Sequence, residues 1–382
     1  MKIGMFTDTY TPQINGVVTS INSFTKELEA QGHEVYIFAP KLKNSIPQPN
    51  VFHFKSFKYP MMPEHQFAYA LGDHYQEFKN IDFDIIHSHT PFTLGLLALF
   101  LAKQHNIPLV HTYHTLFTEY VHYMPFSKGL GVWLSKQASR KYCQSCDLVV
   151  VPSEAMRLEL QDYGVTQEID IIPTGVSQQF AEHGDPQDIR QKHNIPDDVD
   201  IITYAGRVAR EKNIEFLLKV YKEILKVRQR ILFAVIGDGP HRGHIERMAE
   251  EMGIKHKMLF TGYVSDKIEL ASWYKASSAF VFASLTETQG LVILEAMSAG
   301  TPVVAISAMG IKDIIQENRG GFASLPDVSE FSLKLMRLLS SKELRTQKSL
   351  EATALAESLS MRHMAERLSR NYQRFVDVAT KV

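Results

Sequence analysis

Only two of the 382 residues are cysteines, Cys143 and Cys146. That excludes a disulfide-stapled scaffold, and the single C-x-x-C has no second pair with which to complete a zinc site. The pair ends a helical stretch and precedes the apolar run 147–151, the reverse of the strand-to-helix turn that a redox pair needs, so packed thiols are expected. Long hydrophobic runs are also missing. The longest, 94–102, falls far short of the ~20 residues that cross a bilayer. The opening "MKIGMFTDTY" lacks the apolar core of a signal peptide, and the expected location is the cytoplasm, either free or as a peripheral protein on the inner face of the cell membrane. Neither sign of charge dominates: 41 basic side chains face 42 acidic ones. Nucleic-acid binding through bulk charge is thereby excluded. The G-x-G-x-x-G fingerprint is absent, which counts against a nicotinamide enzyme. The D-x-D triplets Asp82–Asp84 and Asp198–Asp200 each precede a strand instead of following one, so no metal is expected there.

What is present is a long alternation. Short β-rich runs at 2–6, 34–38, 84–88, 108–112, 147–151 and 170–172 are followed by a second series at 200–206, 230–237, 257–262, 279–284 and 301–306. Helical patterns lie between them, among them 16–31, 213–227, 240–252, 265–276 and 290–299. Several strands are apolar throughout, as in a parallel sheet covered on both faces. The fold class is therefore α/β, with two doubly wound Rossmann-like domains. A length of 382 residues also favours two cores. The series breaks at the turn-rich stretch 173–186, giving an N-terminal domain 1–176 and a C-terminal domain 177–360. Residues 361–382 form an amphipathic C-terminal helix suited to packing back on the N-terminal domain.

Ligands of such sheets sit beyond the carboxyl ends of the strands. Five stretches fall there. "TDTYTPQINGVVTSI" runs from a strand end into a helix at Gly16 and Val17, whose free N–H groups suit a phosphate, although an ordinary Asn-Gly helix start reads the same way. "VHTYHT" offers His111 and His114 as catalytic, metal-binding or simply packed imidazoles. "GRVAREKN" places Arg207 and Lys212 on one turn, a planar fork and a point charge suited to phosphate oxygens; a solvated loop is the plainer alternative. "GDGP" brings Gly237 to a tight turn where a nucleotide could approach. In "LTETQGLVILEAMSAG" Glu287 lies in a loop and Glu295 inside the following helix, about 12 Å apart at ~1.5 Å per residue. The N–H groups of Gly290, Leu291 and Val292 lie between the two acids. A diphosphate could sit on them, with a hexose hydroxyl at one carboxylate and a ribose at the other. The plainer alternatives are a solvated loop acid and an acid paired with a neighbouring base.

The stretch 287–295 resembles the E-x7-E motif of the retaining glycosyltransferases of family 4, which have the two-domain GT-B fold. "TYTPQINGVVTSI" resembles the glycine loop of that family, "YHT" its active-site histidine, "IPTGV" its interdomain strand end, and "GRVAREKN" its diphosphate clamp. The resemblance spans nearly the whole chain. It implies that Gly16, with Val17 beside it, approaches the donor phosphate or the acceptor, that His114 contacts the transferred sugar, and that Arg207 and Lys212 neutralise the leaving diphosphate. It further implies that Glu287 holds sugar hydroxyls, that Glu295 holds the ribose, and that the anomeric configuration is retained without a metal or cofactor. Front-face attack, with a leaving phosphate oxygen taking the acceptor proton, is the expected route.

The N-terminal half most resembles bacterial glucosyltransferases acting on diacylglycerol. The implied substrates are UDP-glucose and 1,2-diacylglycerol, and the product α-glucosyl-diacylglycerol, a glycolipid and lipoteichoic acid anchor. The alternatives are a family 4 enzyme for phosphatidylinositol, a soluble sugar or a thiol precursor, and a nucleotide-sugar epimerase of the same fold. Segment 120–142 carries Tyr123, Phe126, Trp133, Lys128, Lys136, Arg140 and Lys141 with no acid, a composition suited to an anionic membrane surface. Segment 51–71, rich in aromatics and Met, reads as a second acceptor-side feature. The near-neutral total charge departs from the more basic pattern expected of a membrane-bound member, so docking must use a local patch.

Overall fold

A computed structural model describes residues 1–13, 15–59, 62–69, 81–114, 116 and 127–379. The chain divides into two compact units: Met1–Thr174 together with Met361–Val382, and Gly175–Ser360.

The first unit is built on strands β1 (Lys2–Phe6), β2 (Glu34–Pro40), β3 (Val51–Phe54), β6 (Ile85–Ser88), β7 (Leu109–Thr112), β8 (Leu148–Val151) and β9 (Ile169–Ile171), with a separate hairpin of β4 (Ser56–Tyr59) and β5 (Met62–Ala68). The seven-stranded sheet runs β3-β2-β1-β6-β7-β8-β9, all parallel. Its central strands β6, β7 and β8 are buried at every position; β8 is accordingly apolar throughout, whereas β6 and β7 end on buried polar side chains, His87, Ser88, His111 and Thr112. The second unit has β10 (Asp200–Ala205), β11 (Ile231–Ile236), β12 (Met258–Gly262), β13 (Ala279–Phe282), β14 (Val303–Ile306) and β15 (Gly321–Ser324), in the order β12-β11-β10-β13-β14-β15, again all parallel. Both orders reverse direction next to the first strand, between β1 and β6 and between β10 and β13. Those reversals are the switch points where doubly wound sheets open a crevice.

The aromatic stretch 51–71 is built into strands over its first residues. Phe52 stacks on Phe38 with centroids 5.0 Å apart, and Phe54 is buried. These aromatics extend the first sheet by one strand and start a hairpin, because aromatic side chains suit a half-buried pleated surface. β15 escapes sequence detection because it is short and opens on Gly321, where a Cβ would lie 1.9 Å from the Val303 carbonyl.

Helix Met361–Ala379 packs within the first unit. Arg367 and Asn371 both donate to the Asp170 carboxylate, at 3.0 and 2.8 Å, and the Tyr372 hydroxyl meets His87 Nδ1 at 2.5 Å. Cys143 and Cys146 are buried free thiols. Burial pushes Cys143 up to about 12 and Cys146 well above the usual thiol range, so both are packing groups and not nucleophiles.

Candidate active site

In the second unit the loops following β10 and β13 flank the switch point. Gly206, at φ +143°, ends β10, and Arg207 follows as an exposed side chain. The short helical turn Arg210–Lys212 then leads through Asn213, in the left-handed region, into helix Ile214–Leu225. This loop is pinned to the one after β13: Asn213 Nδ2 donates to the Ala283 carbonyl at 3.2 Å, and Ser284 Oγ to the Glu211 carbonyl at 3.1 Å. The Tyr204 hydroxyl donates to the Arg207 carbonyl at 2.9 Å from below. Lys212 Nζ lies 2.6 Å from Glu287 Oε2, with both side chains about one-fifth exposed. The structure therefore brings Lys212 and Glu287 together directly, in place of the solvated loop acid that was the plainer reading of Glu287.

Gly290, at φ +87°, starts helix Leu291–Ser298, and no side chain caps that helix. A residue with a Cβ is strained at this φ, so glycine is required at the turn. The N–H groups of Gly290, Leu291 and Val292 thus stand at an uncapped helix start, a ready anion site. One turn on, Glu295 receives the Tyr274 hydroxyl at 3.0 Å. Burial pushes the Glu295 carboxyl up to about 7, against the lowering effects of Tyr274 and Lys267. Its partner is a phenol, not the neighbouring base of the plainer reading.

Gly237, at φ +138°, ends β11 against the β10 loop; a Cβ there would lie 1.9 Å from the Gly206 carbonyl oxygen. The same packing recurs at Gly310, where a Cβ would lie 2.1 Å from the Thr288 carbonyl, and Gly310 N donates to the Glu287 carbonyl at 3.0 Å. Gly310 holds the Glu287 loop in place, and sequence reading missed it. Its only signal is "MG" shortly after strand 303–306.

In the first unit, Gly16 is the first residue of helix Gly16–Ala30, capped by Asn15, whose Oδ1 accepts from Val18 N at 3.0 Å. The space where a Gly16 Cβ would stand holds no atom within 4 Å. Gly16 and the half-buried Val17 therefore lie at an open helix start. His114 Nε2 meets His89 Nδ1 at 3.0 Å, and His89 stacks on His87 with centroids 4.2 Å apart. His111 is a packed histidine: its Nδ1 meets Ser88 Oγ at 2.9 Å, and its ring sits edge-on to Tyr142. Burial lowers all four imidazoles, to about 4 for His114 and about 3 for His111, so they are neutral at physiological pH. Asp8, at the end of β1, accepts Thr90 Oγ1 at 2.6 Å and Leu94 N at 3.1 Å, closing the start of helix Thr93–His105. Asp8, His87 and His89 were not singled out in the sequence. "IIHSHT", with two histidines at i, i+2 on a strand end, was the available signal.

Helix Lys128–Cys143 exposes Leu130, Trp133 and Leu134 together with Arg140 and Lys141. Lys136 does not belong to that basic patch. Its Nζ pairs with Asp162 at 2.7 Å and lies 4.8 Å from the Tyr163 ring centroid. The segment itself holds no acid, but the fold brings one in from helix Glu154–Asp162. Tyr123, Phe126 and the side chain of Lys128 lie outside the described residues. None of the described helices is long and apolar enough to cross a membrane.

Sequence comparison agrees with the architecture. The profile described as "Glycosyltransferase Family 4" matches residues 14–180, and "Glycosyl transferases group 1" matches 185–354. An alpha-monoglucosyldiacylglycerol synthase of Streptococcus pneumoniae is 35% identical over 331 residues, 84% of this chain and 74% of the relative. One of Acholeplasma laidlawii is 29% identical over 321 residues, 80% of each chain. Among solved structures, Anabaena Alr3699/HepE in complex with UDP superposes with a TM-score of 0.80 at 16% identity, over 98% of this chain and 100% of that one. The two profiles, the relatives and the paired Rossmann-like sheets agree: this chain belongs to the family 4 glycosyltransferases and has their GT-B fold.

Proposed function

We propose that the protein transfers glucose from UDP-glucose to 1,2-diacylglycerol with retention of configuration, giving α-glucosyl-diacylglycerol. The observation that carries the donor half is the second unit's switch point, where Lys212 pairs with Glu287, Arg207 is exposed on the same loop as Lys212, and helix Leu291–Ser298 starts uncapped shortly after Glu287. A diphosphate there would receive N–H groups from Gly290 to Val292 and charge from the two cations, with Gly237 keeping the adjoining turn close. Lys212 would exchange part of its contact with Glu287 for phosphate oxygens, freeing that carboxylate to accept sugar hydroxyls. Glu295, held by Tyr274, is suited to accept from a ribose. The bound UDP of the Anabaena protein and the names of the two bacterial relatives support the donor base and the lipid acceptor.

The chemistry asks for stabilisation of a leaving diphosphate, which side-chain cations and backbone amides can supply without a divalent ion or cofactor. A leaving phosphate oxygen would take the acceptor's proton as the new glycosidic bond forms on the same face. In the first unit, His114 is neutral and partnered by His89, so it serves as a hydrogen-bonding group for a sugar hydroxyl and not as a cation. Gly16 and Val17 offer backbone amides at an open helix start. The exposed Leu130, Trp133 and Leu134 beside Arg140 and Lys141 suit peripheral attachment to an anionic, cytoplasm-facing membrane surface.

The test is a matrix. Radiolabelled UDP-glucose and GDP-mannose are each incubated with diacylglycerol, phosphatidylinositol or no lipid, with and without a chelator. The expected result is one labelled lipid, α-linked by NMR, from UDP-glucose and diacylglycerol, with chelator making no difference. Product only with another donor or acceptor, a β-linkage, or loss with chelator would overturn the corresponding part.

A further inference from the structure

We infer that the second unit carries a transition-metal site formed by Glu215, His241 and His244, and that it takes one divalent ion of the zinc class. This goes beyond the proposed transfer reaction and does not rest on it.

Glu215 lies in the first turn of helix Ile214–Leu225, and His241 and His244 lie at the start of helix Arg242–Glu251. The i, i+3 spacing puts both imidazoles on one face. Their rings are 4.5 Å apart, and each Nε2 lies 3.0 Å from the same oxygen, Glu215 Oε1. The three ligand atoms all fall within 4.8 Å of one another. A tetrahedral ion with bonds of about 2.0–2.1 Å holds its ligands roughly 3.3 Å apart, so this set needs little adjustment. Three protein ligands leave a fourth corner for water, and the partial exposure of the site, 24% for His241 and 46% for His244, opens that corner to solvent. Two imidazoles with one carboxylate select zinc, copper, nickel or cobalt over magnesium or calcium.

The competing reading is two imidazole N–H groups sharing one carboxylate. Two features favour an ion. Arg242, between the histidines in sequence, is drawn away by Glu246 at 2.7 Å and Asp238 at 3.2 Å, so its charge does not compete for Glu215. The ligands are also braced: His241 N–H donates to the Val208 carbonyl at 3.0 Å, and Gly239 is packed so closely that a Cβ would lie 2.4 Å from that same oxygen. The two helix starts disfavour a bare cation, and the Glu215 carboxylate, held low by its histidine contacts, offsets that. An ion here ties the starts of two helices across the loop that carries Arg207 and Lys212.

The test uses untagged full-length protein, stripped with chelator and exchanged into clean buffer. It is titrated with Zn²⁺ against a chromogenic chelator and with Co²⁺ by visible absorption. The expected result is one ion per chain with the absorption of a low-coordinate Co²⁺. Glu215→Gln and His244→Ala should each weaken it by at least about tenfold, and the His241→Ala/His244→Ala pair should abolish it. Cys143→Ser/Cys146→Ser should leave it unchanged. Saturating Zn²⁺ should raise the melting temperature of the wild type and not of the double-histidine variant. Melts in chelator, expected to match the wild type, separate loss of ligands from loss of fold, and His244→Gln serves if His244→Ala melts early. Absence of stoichiometric uptake at sub-millimolar ion, uptake unchanged in the double-histidine variant, or uptake lost with the cysteines would each overturn the site.

Discussion

The two switch points are built alike and charged differently. Each lies beside the first strand of a parallel sheet whose order reverses there. In the first unit the polar groups are turned on one another. Asp8 is consumed by Thr90, Thr93 and Leu94, and four imidazoles stay neutral by burial. In the second unit Lys212 and Glu287 stand as a partly exposed ion pair, Arg207 is exposed, and the helix start beside them has no side-chain cap. The same topology thus offers one crevice suited to neutral hydroxyls and one suited to an anion. Strand order decides where a site lies, and the loops decide what it binds.

The strongest way to break that contrast is to remove its charge. Arg207→Ala should lower turnover by about 10²–10³-fold, the usual consequence of deleting one group that stabilises developing negative charge. UDP affinity, measured by calorimetry, should fall far less, because the amides of helix Leu291–Ser298 remain. Turnover equal to the wild type would remove Arg207 from the chemistry, and a loss confined to UDP affinity would make it a binding group only.

Gly237→Ala attacks the second crevice through its packing. The new methyl group would meet the Gly206 carbonyl and would have to adopt φ near +138°. We expect a loss of about 3 kcal/mol in urea unfolding of the second unit's transition, combining steric overlap with a forbidden backbone region. Gly16→Ala, where nothing stands within 4 Å, should leave folding stability unchanged and report only on ligand approach. Equal stability losses at the two glycines would refute the assignment of one to packing and the other to access.

Much of this was legible in the sequence, for definite reasons. Parallel strands covered on both faces are apolar throughout, so β8, β11 and β13 stood out, and Gly290 marked the helix start between two acids. Long-range partners were not legible. Nothing near Lys136 in the chain announces Asp162, and nothing near Glu295 announces Tyr274. The aromatics of 51–54 did not announce strand β3, because an acceptor-side segment and an edge strand share a composition. Asp8 passed unnoticed because a carboxylate after a first strand looks like any turn former until the helix it closes is in view.

Acid and base sharpen the comparison at smaller cost. Glu295 has a folded value of about 7, raised above the ordinary carboxyl range, so it contributes stability at low pH that is lost as pH rises from about 4.5 to about 7. His114, at about 4, is depressed; its contribution is present above about 6.5 and is lost as pH falls towards 4. The two crevices should therefore respond oppositely between pH 5 and 8. Glu295→Gln should gain on the wild type by on the order of 2 kcal/mol across that rise, and His114→Asn should gain on it across the corresponding fall. Thermal melts of the three proteins at several pH values decide it. Parallel pH profiles would show that the burial of these groups is not felt in folding.

The smallest expected effect lies on helix Lys128–Cys143, and its value is in separating neighbours. Trp133 is 56% exposed and carries the largest apolar area on that face, whereas Lys136 is already committed to Asp162 and Tyr163. If the exposed face docks on lipid, Trp133→Ala should weaken sedimentation with anionic vesicles several-fold, since burying such a ring contributes about 1–2 kcal/mol. Lys141→Ala should weaken it by roughly 1 kcal/mol or less, and only at low salt. Lys136→Ala should leave vesicle binding unchanged and instead lower folding stability slightly, through loss of its exposed ion pair with Asp162. Charge alone would rank the two lysines equally. A vesicle-binding loss at Lys136 as large as that at Lys141 would mean that the Asp162 pair opens on the membrane, and equal binding by all three variants would move the lipid-facing surface elsewhere in the first unit.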